Sequence, residues 1–102
     1  MINLQLDIHP QTEKQLKKVM SYHQDQEIFA QNFLNYHIAE LKRGIMNIRL
    51  DLKQFEKNYQ ISTKKFYDEF ENGERHDNKD YIIWAGLYEM YCENKLQLKE
   101  FL

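Results

Sequence analysis

The sequence predicts a mainly α fold. One short N-terminal β-strand pairs with its copy in a dimer, and a helix, a long second helix with a coiled-coil seam and two C-terminal helices follow. Three observations predict this. Strict period-2 alternation is confined to the first eight residues, an unbroken heptad spacing runs through the middle, and the 102 residues hold one proline and three glycines. So few turn-forming residues favour a few long helices over many short strands. A chain this short buries a modest fraction of its surface alone, so sharing a core with a second copy stabilises it.

The strand comes first. Ile2, Leu4, Leu6 and Ile8 alternate with Asn3, Gln5 and Asp7, the pattern of a half-buried strand. A lone strand leaves its backbone groups unpaired, so the expected partner is the same strand of a second copy, with Leu4 and Leu6 in the dimer interface. His9-Pro10 ends it, and proline suits the first turn of a helix. Thr12, Leu16, Val19 and Met20 then share one face of a helix over residues 10–22.

Asp25 can cap the next helix, and Glu27 suits its positive N-terminal end. Leu34, Ile38, Leu41, Ile45, Ile48, Leu52, Phe55 and Tyr59 follow at spacings of 4-3-4-3-4-3-4, an a/d seam read as dimer interface. The competing reading packs this seam against the chain's own last helices. Lys42-Arg43-Gly44 resembles a helix end, yet the heptad phase passes through Gly44 unbroken, which favours one helix over residues 25–59. With Ile38 at position a, Asp51 and Glu56 would oppose like charges in a parallel pair, which favours an antiparallel or crossing arrangement.

Ser62 caps a third helix, with Ile61 and Phe66 placed as a hydrophobic staple, and Asn72-Gly73 ends it. Asp77 or Asn78 caps the last helix, over residues 78–101. Tyr81, Trp84, Tyr88 and Tyr91 line one of its faces, and Ile83, Leu87, Met90 and Leu98 widen the apolar side. The expected units are residues 1–43, the helix extension 44–61, and the C-terminal helical pair 62–102.

The net charge of −2 and a pI near 6.1 argue against a general nucleic-acid or membrane coat. The first fifty residues carry six cations against five acids, and the rest eight against eleven, so a polyanion is expected at the front if anywhere. Cys92 stands alone, which excludes an intrachain disulfide and a Cys-based zinc site. It has no evident activator and reads as a structural thiol. His9, His23, His37 and His76 fall at no metal-ligand spacing. With no phosphate loop and no catalytic triad order, neither an enzyme nor a cofactor is expected. No leader pattern and no apolar run of spanning length is visible, and a cytoplasmic location is expected.

The alternating Ile-x-Leu-x-Leu-x-Ile strand, the proline, Leu16-x-x-Val19-Met20, and a capped helix opening Glu27-Ile28-Phe29 with Phe33 and Tyr36 resemble the ribbon-helix-helix family of small repressors and antitoxins. The match covers about the first 43 residues. The resemblance implies an intertwined dimer whose ribbon reads operator DNA with Asn3, Gln5 and Asp7, Asn and Gln being suited to bidentate pairing with adenine. It further implies that Gln24, Asp25 and Gln26 offer backbone N–H groups to phosphate. The back half, from Phe66-Tyr67-Asp68-Glu69-Phe70 through Trp84-Ala85-Gly86-Leu87-Tyr88-Glu89, is similar to the toxin-binding tail of small antitoxins. That implies a basic toxin held by Phe66, Phe70, Trp84, Tyr88 and Tyr91, although the same aromatics would equally serve as the core of the C-terminal unit. Two functions follow as expectations. One is a type II antitoxin that also represses its own operator. The other is a helical homodimeric protein-interaction module without DNA binding, which the acidic balance favours.

Overall fold

The computed structural model describes residues 4–102. Four helices account for its regular structure: α1 (Pro10–Ser21), α2 (Gln26–Tyr59), α3 (Thr63–Glu71) and α4 (Lys79–Lys99). Among the described residues there is no strand, which overturns the N-terminal β-strand and with it the ribbon-helix-helix fold; the mainly α class holds. Leu4 to Ile8 carries no secondary structure, and Leu4 and Leu6 stand 83% and 62% exposed. Alternation supplies an apolar edge but not the neighbouring backbone that a strand must bond to, and the described residues hold no second strand to provide it. Ile2 and Asn3 lie outside the described residues.

Local chemistry explains where the helices begin and end. Pro10 opens α1, where its missing N–H costs nothing. The Asp25 carboxylate accepts from the N–H groups of Glu27 at 2.9 Å and Ile28 at 3.4 Å, capping α2. Ser62 accepts from the Lys65 N–H and caps α3, and Asn78 accepts from the Tyr81 N–H at 2.8 Å and caps α4. At the end of α3, Gly73 takes φ +75°. The Gly73 N–H then donates to Phe70 O and the Glu74 N–H to Glu69 O, the paired bonds that close a helix on a left-handed residue. Gln60 does the same work for α2 without being glycine: its φ is +55°, and its side-chain amide donates to Lys57 O at 2.7 Å.

The chain groups into two compact units, Met1–Tyr36 and His37–Leu102. In the first unit, α1 and the opening of α2 bury no residue. Leu16, Met20 and Phe29 are half-buried, and the His23 ring lies 5.3 Å from that of Phe29.

The second unit holds the core. Within it α2 runs unbroken through Gly44 and pairs antiparallel with α4. Tyr59 meets Tyr81, Phe55 meets Trp84, Arg49 bonds Tyr91, and His37 meets Phe101. A Cβ on Gly44 would sit 3.9 Å from the Asn94 side chain, so the glycine lies under α4. Trp84 and Phe66 are fully buried, stacked at 3.8 Å between centroids and nearly parallel. Phe55 covers the indole at 5.3 Å. Ile48, Leu52 and Ala85 complete the buried cluster. Its one buried polar side chain, Thr63, accepts a hydrogen bond from the indole N–H at 3.1 Å, as a buried donor requires. Arg75 closes the loop between α3 and α4. It bonds Glu69 and Tyr81, and its guanidinium lies 5.7 Å from the Phe66 ring centre.

No helix among the described residues is long and apolar enough to cross a membrane.

Candidate functional site

The residues expected to touch DNA lie on two segments, the N-terminal stretch and the start of α2. Asn3 lies outside the described residues, while Gln5 and Asp7 are exposed on irregular chain. Gln24, Asp25 and Gln26 do lie at the start of α2, where the Asp25 carboxylate accepts from the N–H groups of Glu27 and Ile28.

The seam residues divide. Ile45, Ile48 and Leu52 are buried, and Ile38, Leu41 and Phe55 half-buried. From His37 onward the seam is occupied by α4 of the same chain, the competing reading of its heptads. Only Leu34, 46% exposed, is left open, and it belongs to the first unit.

The aromatic set divides in the same way. Phe66 and Trp84 are fully buried and Phe70 packs on the same core, so these side chains hold the unit together and offer a partner little surface. Tyr88 and Tyr91 are placed differently. They line an open groove of about 700 Å³ along α2 and α4.

Four further apolar side chains line this groove: Ile45, Leu96, Leu98 and Leu102. Leu96 and Leu102 remain 66% and 81% exposed. Its charged lining side chains are Arg49, Lys95 and Lys99, with no acidic side chain among them. Arg49 donates to the Tyr91 hydroxyl at 3.1 Å, and the Lys95 ammonium lies 5.1 Å from the same ring's centre. Two cations thus converge on one phenol. The bond from Arg49, helped by the Lys95 charge, holds the Tyr91 phenol below its usual pKa of 10. The exposed thiol of Cys92 opens on the same groove.

Sequence reasoning missed this basic lining. Lys95 and Lys99 are four apart and follow Tyr88 and Tyr91 on one helical face, a signal present in the sequence. Arg49 joins them only through the antiparallel register of α2 and α4.

A smaller cavity of about 200 Å³ lies at Glu69, Glu74, Arg75, His76 and Tyr81. Arg75 pairs with Glu69 and bonds the Tyr81 hydroxyl there, and the cluster reads as a strap for the α3–α4 loop. Among the described residues no group of three or more His, Cys, Asp or Glu is placed to hold a metal ion.

The first unit offers another kind of surface. Val19, Ile28, Phe33, Leu34 and Tyr36 are between 46% and 68% exposed, although the apolar periodicity of both segments is that of packed helices. No protein-family model matches the chain, and neither the curated proteins nor the solved structures contain one with detectable similarity to it.

Proposed function

We propose that the chain is a helical protein-interaction module that works as a homodimer, its first unit completing a core only against a second copy. One observation carries this reading: α1 and the start of α2 are amphipathic, yet bury no residue among the described ones. A unit of about 36 residues is below the size at which a chain supplies its own core, and association is one of the few remedies. Of the others, a disulfide has no cysteine to use in this unit, and among the described residues no group of three or more His, Cys, Asp or Glu is placed to hold a metal ion. Closing two copies over Phe33 and Leu34 removes from water the apolar surface that one copy leaves exposed.

An antitoxin is one instance of such a module. The operator-reading half of that expectation leaned on the N-terminal strand, and Leu4 to Ile8 takes no strand conformation, so DNA reading is left out of the proposal.

Sedimentation velocity over a micromolar concentration range tests the reading. Wild type is expected at twice the 12.6 kDa of one chain, and Phe33→Asp at that of one chain with its far-UV signal from the second unit retained. A wild type that stays monomeric, or a Phe33→Asp variant that dimerises undiminished, overturns it.

A further inference from the structure

The groove along α2 and α4 combines two properties that rarely occur together without a ligand. It is apolar and open, and its charged side chains have one sign. Arg49 and Lys95 approach each other through Tyr91 with no acidic side chain lining the groove between them. Like charges held together repel, and a mixed surface would ordinarily set an acid between them. The acids of α4 were available for that. Glu89 is instead engaged by the Tyr67 hydroxyl at 2.7 Å, and neither Glu93 nor Glu100 lines the groove. None of Arg49, Lys95 and Lys99 takes part in an ion pair among the described residues.

We infer that this groove is a docking site for an acidic amphipathic helix of a partner protein, whose apolar face lies on Tyr88, Leu96 and Leu98 and whose carboxylates pair with Arg49, Lys95 and Lys99. Charge complementarity selects this occupant. A helix brings apolar residues at i, i+3/i+4 and i+7 to one face, and flanking glutamates meet the three cations of the lining. Length agrees. The α4 part of the groove, from Tyr88 to Lys99, spans about 16 Å at 1.5 Å per residue, enough for about three turns of a partner helix. This reverses the charge expected of a partner from the chain's acidic back half. Net charge there is negative, but the open apolar surface is edged with cations. The inference rests on the interaction reading above for its premise that the chain binds protein, but uses none of the residues proposed to dimerise.

The test uses the full chain and two synthetic fluorescent peptides of about 16 residues, long enough to span the α4 part of the groove. Both carry leucine at helical spacing; one has glutamate at the remaining positions and the other lysine. Fluorescence anisotropy is expected to show the glutamate peptide binding at least about tenfold tighter, a difference of about 1.4 kcal/mol. Arg49→Glu/Lys95→Glu/Lys99→Glu is expected to invert that preference. Lys99→Glu alone, with no contact to core residues described above, is expected to weaken glutamate-peptide binding by about threefold or more and guards against misfolding of the triple variant. Equal binding of the two peptides, no binding of either, or a preference untouched by Lys99→Glu overturns the inference. So does tighter binding to anionic phospholipid vesicles than to the glutamate peptide, which would make the surface a lipid contact. A loss of self-association in Lys99→Glu would assign the groove to a second copy instead. Because dimerisation is read separately through Phe33→Asp, failure of one reading leaves the other measurable.

Discussion

Thr63 is the single polar side chain among the buried residues of the second unit, and replacing it with valine isolates what its hydroxyl does. Thr63→Val keeps the shape and the β-branch, so packing against Phe66 and Trp84 changes little. It removes the only acceptor of the Trp84 indole N–H, a bond of 3.1 Å. The indole is fully buried, so no water replaces the lost partner. A buried donor left unpaired costs about 1–3 kcal/mol. A unit of this size is stable by roughly 3–10 kcal/mol in total, so the loss is a substantial fraction. With a urea slope of about 1 kcal/mol per molar, the midpoint should fall by about 1–3 M. Trp84 is the only tryptophan of the chain, so its fluorescence reports the unfolding of this unit alone, and ellipticity at 222 nm follows all four helices. Thr63→Ser, which keeps the hydroxyl, controls for the missing methyl and should recover most of the midpoint. A valine variant within about 0.5 kcal/mol of wild type, the range of an inert surface change, would refute the argument that this bond holds the aromatic stack in place.

Three further outcomes are expected. Gln60→Gly should raise the urea midpoint, because a left-handed residue other than glycine costs about 1 kcal/mol; part of the gain is offset by the lost bond to Lys57 O, and a lower midpoint would show that bond to dominate. Asp25→Ala should fray the start of α2 by about 1 kcal/mol, read as roughly fivefold faster hydrogen exchange at the amides of Glu27 and Ile28; unchanged exchange would remove Asp25 as the cap. Alkaline titration should separate the tyrosines. Hydrogen bonding to Asp80 raises Tyr59 and hydrogen bonding to Glu89 raises Tyr67, so the unfolded chain ionises first, and their contribution is complete below pH 10 and is lost as pH rises beyond it. Tyr91 behaves oppositely, and Tyr91→Phe should delete the earliest tyrosinate absorbance at 295 nm; an unchanged onset would refute its pairing with Arg49.

What the sequence made legible was local chemistry. Pro10, Asp25, Ser62, Gly73 and Asn78 each mark a helix end in the structure, because a cap or a positive φ is decided within a few residues. The phase of the α2 seam was legible for the same reason, and Gly44 did not break it. Its occupant was not. An a/d stripe states that something apolar covers it and is silent on which chain supplies the cover. The like charges of Asp51 and Glu56 bear on how two copies of this helix would cross and are equally silent on α4. Leu4 to Ile8 failed differently: period-2 alternation is a property of one segment, whereas a strand is a property of two. The basic groove was hidden because Arg49 and Lys95 are far apart in sequence, and because Lys95 and Lys99 lie in a half whose net charge is negative.

The antiparallel course of α2 and α4 orders the events of folding. The tie nearest the connection between them, Tyr59 to Asp80, spans 21 residues, while the tie from Arg49 to Tyr91 spans 42. Closing the longer loop from an open chain costs about 0.6 kcal/mol more. Once α3 has folded back and the first layer has formed, however, the next layer has only a short additional stretch to order. The pair should therefore zip from the Trp84 end toward His37 and Phe101. Substitutions near Trp84 are expected to slow folding, and substitutions near Phe101 to hasten unfolding while leaving the folding rate nearly unchanged. The end that forms last is the end that borders the groove, so the surface inferred to receive a partner is also the part of the unit most readily remodelled by one.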